Sequence, residues 1–241
     1  MTLDGTNTWV LSPPGGSSGI VIDPGPDDEQ HLAAILEVAH QRGIRIVATL
    51  LTHGHFDHSE SARRFCELTG APVRALDPAH RYGGEGMMDG ETIDVDGLRL
   101  EVVATPGHTS DSLSFLLPEL GALLTGDTVL GRGTAVVAHP DGQLGPYLGS
   151  LNRLRELSGT GNLELLLPGH GPVLPRPVDV IEGYLNHRQA RLEQVRQAVS
   201  EGAQTAAEVV RTVYADVDPV LWPAAELSVE AQLSYLAERA S

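Results

Sequence analysis

The sequence has no lysine, one cysteine and few aromatic residues, and all 16 of its cationic side chains are arginines. A lone Cys66 excludes an internal disulfide framework and any zinc finger built on thiolates. No apolar run approaches the roughly 20 residues a membrane span needs. No cationic-then-apolar leader opens the chain. The expected location is therefore a reducing cytoplasm, with no membrane partner. Positive charge is scarce too: 32 acids leave a net charge of −16. Such a body repels phosphate backbones unless its site is locally positive, and two bound divalent ions would not reverse its sign. Arginine without lysine, beside abundant Ala and Gly, reads as the product of a GC-rich bacterial genome. What the chain does have is a core: 241 residues, 41% hydrophobic, suffice for one large domain with a small appendage.

Four apolar runs of strand length end alike. Arg45–Leu51 runs into Thr52-His53-Gly54-His55, and Leu100–Ala104 into Thr105-Pro106-Gly107-His108. Ala122–Leu124 runs into Thr125-Gly126-Asp127, and Leu163–Leu167 into Pro168-Gly169-His170. Gly and Pro stop each strand and turn the backbone sharply. A His or Asp waits at every turn. In layered α/β architectures such strand-end loops converge on one rim. Asn7–Leu11 and Gly19–Ile22 read as two further strands, the second ending at Asp23 before Pro24-Gly25. Asp96-Gly97 marks a hairpin between Glu91–Val95 and Leu98–Ala104. Helical spacing predicts helices over Glu29–Arg42, Ser59–Thr69 and Tyr147–Ser158.

After Pro175 the pattern becomes helical, over Val178–Val199, Thr205–Val213 and Val229–Arg239. The expected division is a catalytic domain over 1–176 and a helical appendage over 177–241. Residues 177–241 hold ten acids against five arginines, a poor recognition surface for nucleic acid. Trp222 and Pro223 are expected to pack in its core, and Cys66 to be buried and inert.

The block His53-Gly54-His55-Phe56-Asp57-His58 carries the chemistry. Imidazole and carboxylate are natural ligands of zinc and similar metals. His53 and His55, two apart on extended chain, face the same way. Asp57 and His58 follow as the chain turns into a helix and can address a neighbouring point. The expected first site is His53, His55 and His108, and the second Asp57, His58 and His170, with Asp127 bridging. Zinc is the first choice for both ions, and manganese and iron accept the same ligands. Three protein ligands per ion leave room for a shared water, whose proton is lost near neutral pH so that the bridging hydroxide can attack a carbonyl or phosphorus centre. Asp57 and Asp127 are thus expected catalytic groups, with Asp57 orienting the nucleophile. Asp23 is expected to orient a ligand imidazole through its outer nitrogen. His139 is a candidate acid for the leaving group. Arg188 and Arg191, near His187, form a small positive cluster that could contact substrate.

In this order, Asp23, the His53–His58 block, His108, Asp127 and His170 resemble the five motifs of the metallo-β-lactamase superfamily. The all-His/Asp ligand set is similar to the glyoxalase II and RNase Z type. Gly5-Thr6-Asn7-Thr8-Trp9, Thr105-Pro106-Gly107-His108-Thr109, Gly131-Arg132-Gly133-Thr134, Pro168-Gly169-His170-Gly171-Pro172 and His187-Arg188 resemble the lactamase-B-like-2 branch. That resemblance implies an α+β fold: an αββα sandwich with a C-terminal winged-helix-like appendage. Animal members of the branch are single-stranded-RNA endonucleases, and fungal ones release polyketides from acyl carriers as thioesterases. The expected function is a dinuclear-metal hydrolase of an ester, thioester or phosphodiester. The expected substrate is a small acyl ester or thioester, or single-stranded RNA, and a homodimer is allowed. A non-catalytic metal sensor or nucleic-acid-binding module is the alternative outside enzymes. Ala138-His139-Pro140-Asp141-Gly142 departs from the branch, whose members often carry an acidic Glu-Asp-Leu stretch there.

Overall fold

Alternation along the strands sorts the apolar residues onto two faces. In the computed structural model, which describes residues 5–240, the elements are β1 (Trp9–Leu11), β2 (Ser18–Ile22), α1 (Glu29–Gln41), β3 (Arg45–Leu50), α2 (Phe56–Ser59), α3 (Ala62–Thr69) and β4 (Val73–Arg74). Then follow β5 (Thr92–Val95), β6 (Leu98–Ala104), β7 (Leu113–Leu117), β8 (Ala122–Gly126), α4 (Leu144–Gly159), β9 (Leu165–Pro168) and β10 (Leu174–Pro175). The tail is α5 (Pro177–Ser200), α6 (Ala206–Val213) and α7 (Trp222–Ala240). One sheet has the order β1-β2-β3-β4 and the other β10-β9-β8-β7-β6-β5.

Ile20 and Ile22 of β2 face the second sheet, packing with Leu100, Val102, Leu113 and Phe115. Val21, between them, faces the opposite way onto Leu32 and Ile35 of α1 and Phe65 of α3. On the second sheet, Leu124 joins the inter-sheet core, while Leu123 packs outward with Tyr147, Leu151 and Leu154 of α4. This period of two builds the expected αββα sandwich. The hairpin at Asp96-Gly97 forms, pairing β5 with β6 antiparallel.

Strand direction collects the turns on one rim. β2 and β3 are parallel. β6 and β8 both run antiparallel to β7, and β8 runs parallel to β9. The C-terminal ends of β6, β8 and β9 therefore share one edge of their sheet, as those of β2 and β3 share one edge of theirs.

Several expectations are corrected. The helix expected over Ser59–Thr69 is two pieces, α2 and α3. Ser61 breaks it because both its backbone N–H and its hydroxyl donate to the Gly25 carbonyl, at 3.1 and 2.9 Å. The last helix starts at Trp222 rather than Val229, with Pro223 in its first turn, where a missing N–H costs nothing. A strand, β7, lies where none was expected. Trp222 packs with Val195, Val209 and Val229, as anticipated, and its indole N–H donates to the Val217 carbonyl at 3.1 Å, whereas Pro223, also expected in the core, is exposed.

α5 ties the tail to the sandwich. Its Ile181 and Tyr184 pack with α4, and its Val195 and Ala198 pack with α6 and α7. α6 opens with a capping box between Thr205 and Glu208. Among the described residues no helix is long and apolar enough to cross a membrane.

Candidate metal centre

The five expected strand ends bring their side chains together. Donor atoms of His53, His55 and His108 lie within 4.8 Å of one another, as do those of Asp57, His58 and His170, and those of His53, His58 and Asp127. Asp127 stands between the first two sets: its Oδ2 is 3.7 Å from His108 Nε2 and 3.3 Å from His170 Nε2. Its Oδ1 is 3.4 Å from His58 Nε2.

Each buried imidazole is held by its outer nitrogen. His53 Nδ1 faces Thr52 Oγ1 at 3.0 Å, and His58 Nδ1 faces Asp23 Oδ2 at 2.8 Å. His108 Nδ1 donates to the Val136 carbonyl at 2.6 Å, and His170 Nδ1 to the Gly5 carbonyl at 2.9 Å. Donation outward leaves the inner nitrogens as lone-pair donors. Those inner nitrogens converge: His53 Nε2 is 3.0 Å and His108 Nε2 3.1 Å from His55 Nδ1, and His58 Nε2 is 3.3 Å from His170 Nε2.

Asp23 organises both halves. It sits at φ 51°, in the left-handed region, where the chain leaves β2. Its carboxylate accepts from the Thr52 N–H and hydroxyl, both at 2.7 Å, and from His58. The Thr52 hydroxyl in turn receives His53 Nδ1–H, so one buried carboxylate orients a ligand of each set.

The N-terminal segment closes one wall. Asn7 N–H donates to the Gly169 carbonyl at 2.7 Å, and its side-chain amide to the carbonyls of Pro168 and Gly171 at 3.0 and 2.8 Å. Thr6 Oγ1 donates to Asp57 Oδ2 at 3.3 Å. Thr52 was not expected as a support of the site; an isolated hydroxyl carries no spacing signal. Thr6 and Asn7 lie in the expected Gly5–Trp9 motif, which thereby gains a physical role.

Close packing leaves no space behind the ligands. A Cβ on Gly169 would lie 2.6 Å from Asp127 Oδ1 and 2.7 Å from His58 Cε1. Gly107, at φ +133°, precedes His108 where a Cβ would lie 2.3 Å from the Tyr147 backbone. The centre opens on one side, at exposed His55 and at Phe56, which is 77% exposed.

Electrostatics follow from crowding. Burial holds His53 well below the usual imidazole range, aided by the charges of His58 and His108. Burial lowers His108 as well. Burial would also lower His58, but Asp23 and Asp127 outweigh it and raise the group to about 10. His170 is raised to about 10 in the same way, its burial overcome by hydrogen bonds to Asp127 and Asp57. Burial would raise Asp57, yet His170 and His58 bring it down to about 2. Asp127 is held well below the carboxylate range, with His170 and His58 overcoming burial.

These residues fit a pair of cations. Imidazole nitrogens 3.0–3.3 Å apart repel unless protons or cations sit between them. Among the described residues Asp127 Oδ1 is buried without a hydrogen-bond partner, an orphaned acceptor in the middle of the donors. No thiolate is present, and the donors are those of borderline metals.

The other expected contacts lie elsewhere. His139 does not join the cluster: its N–H donates to the Leu227 carbonyl of α7 at 3.2 Å, and it lines a separate cleft with Gln143, Gly145 and Tyr235. The reason is that the chain after Val137 turns toward α7, away from the rim. Arg188 and Arg191 line a cavity bounded by Thr134–Val136.

An αββα sandwich whose strand ends gather seven His and Asp donors defines a class of metal-dependent hydrolases. The profile described as "Metallo-beta-lactamase superfamily" matches residues 1–170, and that of the "Beta-lactamase associated winged helix domain" matches residues 205–239. The chain belongs to the metallo-beta-lactamase superfamily, in the lactamase-B-like-2 branch. A Drosophila melanogaster protein named beta-lactamase-like protein 2 homolog is 34% identical to it, over 98% of this chain and 83% of that protein. An Aspergillus fumigatus protein named atrochrysone carboxyl ACP thioesterase is 32% identical, over 89% of this chain and 70% of that one. In structure, a metallo-beta-lactamase family protein of Thermus thermophilus superposes with a TM-score of 0.80 at 24% identity, covering 98% of this chain and 89% of that chain.

Proposed function

We propose that this chain hydrolyses acyl thioesters with two divalent ions, zinc in the first instance. The convergence of imidazole lone pairs around the orphaned Asp127 carboxylate carries the reading of a two-ion centre. His53, His55 and His108 would hold one ion, and Asp57, His58 and His170 the other, with Asp127 between them. When bound, such ions polarise a carbonyl oxygen and make water acidic enough to yield a nucleophile near neutral pH. Asp57 remains a carboxylate at neutral pH, being held at about 2, so it can accept a hydrogen bond from the attacking water and fix its direction. The hydroxyl of Thr6 and the His170 ring hold that carboxylate in place. Asp23 and Thr52 keep His58 and His53 in the tautomer that presents Nε2 inward.

Charge favours an acyl substrate over RNA. The chain carries −16, and its tail holds ten acids against five arginines. A nucleic-acid track needs several cations along a path, whereas Arg188 and Arg191 line one confined cavity. The thioesterase name of the Aspergillus relative supports the same substrate class.

The test is thiol release from an acyl N-acetylcysteamine thioester by zinc-loaded protein, followed with a thiol-reactive dye. His58→Ala is expected to lower the rate at least about 100-fold, since it removes a buried ligand. Cleavage of a labelled single-stranded RNA by the same preparation, without thiol release, would overturn the proposal in favour of a ribonuclease.

A further inference from the structure

Beside the metal centre lies a second cavity, of about 280 Å³, bounded by the loop Thr134–Val136, α5 and the α6–α7 corner. Ala135, Val217, Leu221 and Ala225 give it an apolar lining. Arg188 and Arg191, one helical turn apart on α5, supply positive charge to its wall.

These two arginines differ from those that pair with a carboxylate, namely Arg63, Arg64, Arg74, Arg99, Arg153, Arg176 and Arg196. Arg188 instead donates to the Ala135 carbonyl and lies 4.9 Å above the Tyr147 ring. Its Nε is buried without a hydrogen-bond partner. Arg191 donates to the Val213 carbonyl at 2.7 Å and to Gln194 Oε1 at 3.0 Å, and lies 4.3 Å above the Tyr214 ring. None of these partners is an anion. In a chain with two acids per arginine, a cavity-lining pair left without a carboxylate among the described residues marks a place where a negative charge is welcome. The neighbouring His187 senses it: burial first, then the charges of Arg188 and Arg191, push its pKa down.

The cavity also adjoins the reaction centre. Val136 lines it, and the Val136 carbonyl is the acceptor that fixes His108.

We propose that this cavity binds an oxyanion, carboxylate or phosphate, carried on a short apolar chain, with Arg188 and Arg191 holding the charge and the alanine, valine and leucine side chains holding the chain. That this anion is the far end of the substrate rests on the acyl-thioester reading. A carboxylate would belong to the acyl group, and a phosphate to the thiol carrier.

Calorimetric titration of the full chain with octanoate, octyl phosphate and octanol tests this without turnover, so either reading can fail while the other stands. At least one anion is expected to bind ten-fold or more tightly than octanol, and to weaken with added salt. Arg191→Gln is expected to abolish that preference while leaving octanol binding unchanged and the chain folded by circular dichroism. It is the primary variant because Arg191 touches only the tail, whereas Arg188 also braces Ala135. Arg188→Gln, checked for folding by circular dichroism, should act in the same direction. The stronger anion names the source of the charge. Equal binding of all three probes, no anion binding up to the solubility limit, or an unchanged preference in Arg191→Gln would overturn the proposal. So would a uridine decamer that binds through the same arginines and displaces both anions.

Discussion

Asp23 and His58 are 35 positions apart in the chain and 2.8 Å apart in space, both buried. The carboxylate also takes two hydrogen bonds from Thr52, so removing it frees both a ligand of the second set and the support of His53 in the first. Asp23→Asn keeps the volume but cannot accept from all three donors. It is expected to weaken metal binding about 10- to 100-fold, measured by competition with a chromophoric chelator. His58→Ala should bind one ion per chain rather than two.

Loading should depend on pH with a definite sign. In the metal-free fold His58 and His170 hold protons up to about 10, and a metal must displace them. Apparent affinity is expected to rise as pH rises from neutrality toward about 10, with protons released on binding. Titrations in buffers of different ionisation enthalpy count those protons. Stability of the metal-free fold runs the other way. The contribution of the two histidines is complete below their ordinary value of 6.5 and is lost as pH rises through about 10. That of Asp57 is present above its ordinary 3.8 and lost as pH falls through about 2.

Two glycines separate site from fold. Gly169→Ala places a methyl against Asp127 and His58 and should abolish two-ion binding while circular dichroism stays unchanged. Gly107→Ala meets the Tyr147 backbone at 2.3 Å with φ at +133°. It should destabilise the whole sandwich by about 2–4 kcal/mol, read as a shifted urea midpoint.

Tyr184 of α5 supports the loop behind His108. Its hydroxyl accepts the Leu130 N–H at 2.8 Å and faces the Leu130 and Gly133 carbonyls at 3.2 and 3.1 Å. Tyr184→Phe leaves a buried N–H unpaired and should cost about 1–3 kcal/mol in chemical denaturation, with metal loss at lower chelator concentration.

The clustered His and Asp residues were legible because each stands where an apolar strand meets Gly or Pro, a local signal repeated along the chain. Their supports were not. Thr52 and Thr6 act across the fold, Thr6 reaching Asp57 over 51 positions, and such pairing has no local pattern. β7 went unread because no His or Asp waits at its end, although Pro118 stops it and Leu113, Phe115 and Leu117 alternate as an inter-sheet face. His139 looked reactive by type, and only the turn toward α7 removes it from the rim. The early part of α7 was hidden by Pro223, a residue tolerated at a helix start and nowhere further in.

Gly5 and His170, 165 positions apart, share a hydrogen bond. A chain growing from its first residue thus meets its last ligand only after every strand of the sandwich but β10 has been made. Half-made protein can offer the His53–His58 block but no second site. Full metal uptake therefore reports synthesis past His170 and docking of the N-terminal segment. Pulse-labelled nascent chains should acquire chelator-resistant metal only once residue 170 has left the ribosome.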